Sequence, residues 1–137
     1  MTHVLSAQMF SGRLYEVDLR LRPDGDSGLV ATTLTGFRRY QLESAWTWEH
    51  QALVRSRTVA GDLSLRASLE QLRREVLVMP RDAPVLSAAV RDMRHKMLTE
   101  QASINHGVGR FDIKRDQGGI VDIEFVVQYL VLAHASE

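Results

Sequence analysis

Four charged side chains alternate with apolar ones within residues 14–23, at Glu16, Asp18, Arg20 and Arg22. Successive side chains of a β-strand point to opposite faces, so a strand here would place all four on one face. Two carboxylates suit a divalent metal ion, and two guanidinium groups suit phosphate oxygens. The stretch therefore carries the types of side chain that phosphoryl transfer requires.

The same alternation also fits an amphipathic strand with one solvated face. Acidic and basic side chains often pair across the exposed face of an antiparallel sheet. Such a strand on an unrelated helical domain would have no chemistry of its own. The alternation alone leaves both interpretations open.

Composition narrows the class of protein. A chain of 137 residues is typical of one domain, and its 17 basic and 17 acidic residues balance. That balance favours neither a nucleic acid nor an anionic membrane as partner. Without cysteine there is no disulfide or thiolate metal site. The longest apolar segment, residues 126–135, is too short to span a bilayer, so we expect a cytoplasmic protein.

The first half of the chain predicts a mixture of elements. Residues 1–10 fit the last turns of a helix, and residues 23–28 fit a turn in which Asp24 and Asp26 are structural. Residues 29–33 predict a short return strand, antiparallel to the charged one. Residues 34–57 predict a helix, with Trp46 in the core and His50 on the surface.

The second half predicts helices. Two apolar stripes at helical spacing should pack against each other: Leu65, Leu69, Leu72 and Val76 in the first, and Leu86, Val90, Met93 and Met97 in the second. A basic edge beside the second stripe is typical of a solvated face, and it consists of Arg91, Arg94, His95 and Lys96. Residues 110–114 fit a short strand. Residues 120–132, apolar almost all round, predict a helix buried in a larger bundle.

Three strings in this order resemble one family. Asp-x-Arg-Leu-x-Pro within residues 14–23 is similar to the strand that carries the third carboxylate of DNA polymerase β-type nucleotidyltransferases. Residues 45–57 (Ala-Trp-Thr-Trp-Glu-His-Gln-Ala-Leu-Val-Arg-Ser-Arg) and residues 111–132, with their Gly-Gly-x-x-Asp-Ile-Glu, add to it. Together they resemble the bifunctional family that adenylylates and deadenylylates glutamine synthetase.

The resemblance implies a fold and a division of the chain. The fold would be α+β and mostly helical, with part of a DNA polymerase β-like nucleotidyltransferase sheet followed by a helical domain. Residues 1–60 would be the C-terminal part of the nucleotidyltransferase domain, and residues 61–137 the start of the helical domain. The family's Gly-Ser and Asp-x-Asp signature is missing before the charged strand. The chain is therefore expected to be an internal piece that is inactive alone.

The resemblance also implies residue roles. The reaction transfers AMP from ATP to a tyrosine of glutamine synthetase with Mg²⁺, and Asp18 matches the third, metal-binding carboxylate. Glu16 has no assigned role in the family, but it shares the face of Asp18 and is the second candidate metal ligand. Arg20 and Arg22 would contact the triphosphate or neutralise the carboxylates. Near the start of the last helix lie two secondary candidates for a supporting or interdomain role, Asp122 and Glu124. The favourable position of carboxylates at a helix N-terminus explains both equally well.

Two alternative functions stay open. The Trp-Thr-Trp-Glu-His-Gln string is more similar to the half of the family that adds AMP, and the half that removes AMP is the alternative. A non-catalytic helical module that docks glutamine synthetase or the PII signal protein is the other.

Overall fold

The computed structural model describes residues 6–13, 22–102 and 111–136. Its regular elements within these ranges are β1 (Gln8–Met9), β2 (Gly12–Arg13), α1 (Leu34–Glu43), α2 (Thr47–Arg55), α3 (Leu63–Leu77), α4 (Ala83–Ala102) and α5 (Ile120–His134). The two strands form an antiparallel hairpin, in which Met9 lies opposite Gly12. The described part of the chain is therefore mostly helical, as predicted.

The helix N-termini are set by local side chains. Thr33 Oγ1 accepts a hydrogen bond from the Gly36 N–H at the start of α1 (3.1 Å). Asp62 Oδ1 accepts from the Ser64 N–H at the start of α3 (2.8 Å). Such caps satisfy N–H groups that have no partner inside the helix. The sequence pair Gly61-Asp62 thus ends one segment and begins the next.

The short helix α2 lies at the centre of the helical packing. It contacts α3, α4 and α5, while α5 also contacts α4 and α1 contacts α3. The main apolar cluster joins the end of α3 to α4 and α5 through Leu77, Leu86, Val90 and Leu132. The apolar core therefore lies where the end of α3 meets α4 and α5, and Leu53 and Val54 of α2 pack against it.

The predictions for the β part are corrected in two places. Residues 8–9 form a strand and not the end of a helix, because Gly12 at φ +107° lets the chain reverse into a hairpin. Residues 29–33 form no strand, and instead lead into the Thr33 cap. The turn within residues 23–28 is confirmed by a 3₁₀ turn at Gly25–Ser27. Most of the predicted charged strand, residues 14–21, lies outside the described ranges, and the nucleotidyltransferase sheet stays a prediction.

The single helix predicted for residues 34–57 is two helices. They are separated at residues 44–46, where Trp46 has the extended backbone of an N-cap residue (φ −79°, ψ 158°). Its side chain thereby leaves the apolar stripe and is 70% exposed, so the prediction of a core tryptophan was wrong. The prediction for His50 was also wrong, because its side chain is buried.

The two apolar stripes meet only at their adjoining ends. Leu77 packs with Leu86 and Val90, but α3 otherwise packs on α1 and α2, and α4 on α2 and α5. Leu65 and Met97, at the far ends of the stripes, are exposed. The predicted pairing was wrong along most of its length because α2 contacts both helices.

The end of the chain differs from its prediction as well. Residues 111–119 form successive turns and no strand. Helix α5 buries Val121, Gln128 and Leu132 but exposes an aliphatic face, which consists of Ile120, Ile123, Val126, Val127 and Leu130. It is therefore half-buried within the described residues. None of the described helices is long and apolar enough to cross a membrane.

The two faces of α5 should differ in their contribution to stability. Leu132, 2% exposed, contacts the apolar cluster, so Leu132→Ala should lower the free energy of unfolding by about 3 kcal/mol through lost burial and a residual cavity. Ile123→Ala, at a residue 64% exposed on the same helix, should cost less than about 1 kcal/mol. Urea unfolding of both variants measures these changes. An equal decrease in the free energy of unfolding in the two variants would contradict the described packing.

Candidate functional site

The six predicted site residues divide into two groups. Glu16, Asp18 and Arg20 lie outside the described residues. Arg22, Asp122 and Glu124 are described, and each makes a defined contact. The structure therefore assigns surroundings to three of the six.

Arg22 holds the turn that follows the charged stretch. Its Nε donates to the Gly28 carbonyl oxygen at 3.2 Å, and its own carbonyl oxygen accepts from the Gly25 N–H at 2.9 Å. Gly28 has no room for a side chain, since a Cβ would lie 1.8 Å from the Pro23 carbonyl oxygen. Arg22 thus lies at the base of a tightly closed turn.

The turn is tied to α1 through Asp24. Asp24 adopts a left-handed backbone conformation (φ 60°), which aspartate tolerates better than most residues. Its N–H donates to the Tyr40 hydroxyl on α1 at 3.3 Å. These contacts support the structural interpretation of Asp24, and they place Arg22 close to the N-terminal helices.

Asp122 joins three parts of the chain. Its Oδ2 accepts from the Gly118 N–H at 2.5 Å, and its Oδ1 accepts from Arg94 Nε on α4. Arg94 Nη2 also donates to the Arg115 carbonyl oxygen at 2.8 Å. The Gly118 N–H, together with Arg94, holds the pKa of Asp122 below its ordinary value of 3.8. Asp122 is thus an ionised anchor for α4, the 111–119 turns and α5.

Arg94 corrects a prediction. It was assigned to a solvated basic edge, yet it is only 9% exposed because its guanidinium group reaches Asp122 and the carbonyl oxygens of the 111–119 turns. Its neighbours Arg91, His95 and Lys96 are exposed, as predicted.

Glu124 pairs with a different arginine from Asp122. Residues two apart on a helix point about 200° apart, so the two carboxylates do not converge. Glu124 Oε1 accepts from Arg55 Nη1 at 2.6 Å, which joins α5 to the last turn of α2. The structure brings each secondary candidate to an arginine and keeps the two candidates apart.

Within the described ranges, no three histidine or carboxylate side chains are grouped as a metal site. The metal ligands proposed from the sequence, Asp18 and Glu16, lie outside those ranges.

Sequence reasoning missed a buried polar segment on α2, which we term the polar triplet (Glu49, His50 and Gln51). Glu49 Oε1 accepts from the Tyr40 hydroxyl at 2.9 Å, and its Oε2 accepts from the Trp46 N–H at 2.8 Å. Glu49 therefore caps α2 and attaches α1 to it.

The second member, His50, is held in one tautomer. Its Nε2 lies 2.9 Å from the Gln41 carbonyl oxygen and must donate to it, which leaves Nδ1 to accept from Arg81 Nη2 at 3.3 Å. Arg81 also donates to the Val76 and Met79 carbonyl oxygens at the end of α3. Burial, together with the adjacent Arg81 charge, lowers the pKa of His50, so the ring is neutral.

The third member, Gln51, reaches the last helix. Its Nε2 donates to Gln128 Oε1 on α5 at 3.0 Å, and both side chains are buried. Three polar residues in a row within a nine-residue helix were the available signal for this segment. Since three consecutive positions span about 200° of a helix, a helix packed on several sides must bury some of them.

Comparison with known proteins places the chain in a class of nucleotidyltransferases, the adenylyltransferases. The family model described as glutamate-ammonia ligase adenylyltransferase matches residues 1–72, more than half of the chain. The chain therefore belongs to the glutamate-ammonia ligase adenylyltransferase family. This confirms the family that was predicted from the three strings.

Curated relatives agree with the family model. The chain is 54% identical over 96% of its length to the bifunctional glutamine synthetase adenylyltransferase/adenylyl-removing enzyme of Aromatoleum aromaticum. Enzymes of the same name match at 53% over 99% of the chain in Bordetella bronchiseptica, and at 54% over 98% in Thioalkalivibrio sulfidiphilus. The chain spans only 14% of the length of each relative.

The neutral state of His50 predicts a pH-dependent stability. An unfolded histidine takes up a proton near pH 6.5, whereas the folded His50 resists it to lower pH. The unfolded state therefore binds more protons below pH 6.5, and the free energy of unfolding should fall as the pH drops through that value. Urea unfolding from about pH 7.5 to about pH 5 measures the slope.

His50→Gln should flatten this pH dependence, because the amide can donate to Gln41 and accept from Arg81 without titrating. His95→Gln, at an exposed histidine on α4, is the matched control and should keep the original slope. An unchanged slope in His50→Gln would contradict the described contacts.

We expect substitutions of the two secondary candidates, Asp122 and Glu124, to lower the free energy of unfolding by unequal amounts. Asp122→Asn leaves the buried Arg94 without its counter-charge and should lower the free energy of unfolding by about 2 kcal/mol. Glu124→Gln removes a more solvated pair with Arg55 and should cost about 0.5 kcal/mol or less. Chemical denaturation compares them, and a larger loss from Glu124→Gln would show that Asp122 is not the anchor.

Proposed function

We propose that this chain is part of an enzyme that transfers AMP from ATP to a tyrosine of glutamine synthetase. The observation that carries the proposal is the identity of 53–54% to enzymes with that bifunctional name, over nearly the whole chain. Because the chain spans 14% of those relatives, we assign the complete reaction to a longer polypeptide.

Residues 14–23 supply the proposed chemistry. The tyrosine oxygen attacks the α-phosphorus of ATP, the bond to the bridging oxygen of the β-phosphate breaks, and pyrophosphate leaves. Asp18, as the third carboxylate, favours loss of the hydroxyl proton, and Glu16 lies two positions before it. Carboxylate oxygens of this kind fit Mg²⁺, which would neutralise charge on the phosphates. The other two carboxylates of the family signature are not in this chain.

Arg20 and Arg22 are the proposed phosphate contacts. Guanidinium groups bind phosphate oxygens through charge-assisted hydrogen bonds, and Arg22 Nε donates to the Gly28 carbonyl oxygen. The rigid turn at Pro23 and Gly28 would hold Arg22 in place. Asp122 and Glu124 are proposed to support the domain contact and not to touch the substrate, because each already binds an arginine.

The proposed domain division is residues 1–60 for the nucleotidyltransferase part and residues 61–137 for the helical part. Contacts of α2 with α3, α4 and α5 cross this division, which supports a rigid connection between the two parts. AMP addition is proposed over AMP removal on the resemblance of residues 45–57. The PII signal protein as a regulator and a cytoplasmic location are proposed on the family resemblance.

The decisive test is Asp18→Asn in the longer enzyme that carries this chain. The amide keeps the shape of the side chain but removes the charge that would bind Mg²⁺. Transfer of AMP to glutamine synthetase should fall about a thousandfold or more, since metal-assisted stabilisation supplies several kcal/mol at about 1.4 kcal/mol per tenfold. Transfer of radiolabelled AMP at saturating Mg²⁺ measures it.

Glu16→Gln, on the same predicted strand face, is the matched control and should cost far less activity. Near-normal transfer by Asp18→Asn would refute the assignment. Equal losses of AMP transfer in the two variants would indicate that the negative charge of the strand matters as a whole and that neither carboxylate is the essential metal ligand.

A further inference from the structure

A groove with two unlike halves lies where α2 ends and α3 begins. We term it the arginine groove. Its apolar half, of about 180 Å³, includes the side chains of Phe37, Leu53, Leu69 and Leu72. Its basic half, of about 450 Å³, is lined by Arg57, Thr58, Val59, Arg66, Glu70 and Arg74. Arg57, Thr58 and Glu70 line both halves, so the two halves adjoin.

The basic half has an excess of positive charge. Among the described residues that line it, Glu70 is the one acidic side chain, and it is already paired with Arg73 Nη1 (3.1 Å) and Arg74 Nε (3.6 Å). Arg57 and Arg66 are exposed and make no hydrogen bond or ion pair with the described residues. Two guanidinium groups are thus available to an anion in this half.

Arg73 holds one wall of the apolar half. Its Nε and Nη2 donate to the Leu53 and Val54 carbonyl oxygens, at 2.7 and 2.8 Å. Both carbonyl oxygens belong to the last turn of α2, and that of Leu53 also accepts from the Ser56 N–H at 3.2 Å. The bonds fix the end of α2 against α3, so the groove exists without a ligand.

The sizes and surfaces of the halves define the ligand. An apolar cavity of about 150 Å³ accepts benzene, so the apolar half suits one aromatic ring. Guanidinium groups bind phosphate oxygens through paired, charge-assisted hydrogen bonds. We propose that the arginine groove binds an aromatic phosphate, with the ring between Phe37 and Leu69 and the phosphate at Arg57 and Arg66. This proposal does not depend on the nucleotidyl-transfer function.

Titration calorimetry of the 137-residue chain tests the proposal, with circular dichroism confirming that each variant is folded. The probes are inorganic phosphate, phenol and phenyl phosphate. Phenyl phosphate should bind about tenfold more tightly than inorganic phosphate, because only it fills the apolar half. Arg57→Gln and Arg66→Gln should each weaken it about tenfold. Arg91→Gln, an equal charge change at an exposed site on α4, should leave it unchanged.

AMP, used as a further probe, distinguishes between two natural kinds of aromatic phosphate, a nucleotide and an aryl phosphate. Binding of AMP as tight as that of phenyl phosphate would support a nucleotide ligand, and weaker binding would support an aryl phosphate. Equal affinity for phenyl phosphate and inorganic phosphate would overturn the proposal. The same loss in Arg91→Gln as in Arg66→Gln, or no binding by the folded chain, would also overturn it.

Discussion

The described fold depends on the burial of three consecutive polar side chains on α2. A buried polar group without a hydrogen-bond partner costs about 1–3 kcal/mol, so Glu49, His50 and Gln51 each require one. Their partners come from three different places, namely α1, the connection between α3 and α4, and α5. A helix of nine residues thereby fixes the positions of the elements around it. Apolar contacts are not directional, whereas these hydrogen bonds orient α2 relative to each of its neighbours.

A second polar contact fixes the end of the described chain. Arg94 and Asp122 bind the 111–119 turns to α4 and α5, and Gly119 has no space for a side chain beside the Ile113 carbonyl oxygen. The strings that identify the family therefore have separate roles. Residues 45–57 and 111–132 hold structure through buried polar contacts, while residues 14–23 carry the proposed chemistry. This division explains why a histidine and a glutamate adjacent on α2 are not catalytic candidates.

Local signals in the sequence predicted some elements and not others. The stripes, with Gly61 and Asp62, correctly predicted α3 and α4, because apolar spacing and capping act within a few residues. The separation of α1 from α2 was missed although its cap is local, because tryptophan is not one of the usual N-cap residues and it is the Glu49 carboxylate that accepts from the Trp46 N–H. The burial of His50 and Arg94 was missed because their partners, Arg81 and Asp122, lie 31 and 28 residues away. At the candidate site, resemblance supplied Asp18, and no sequence pattern indicated that Glu124 pairs with Arg55.

We expect the polar triplet to make α2 and its neighbours one cooperative unit. Native-state amide hydrogen exchange under increasing denaturant measures this directly, since each amide reports the free energy of the opening that exposes it. We expect amides in α2, the second half of α3, the first half of α4 and the middle of α5 to open together, at the free energy of global unfolding. Exchange of α2 at a clearly lower free energy, while α4 and α5 stay protected, would contradict it.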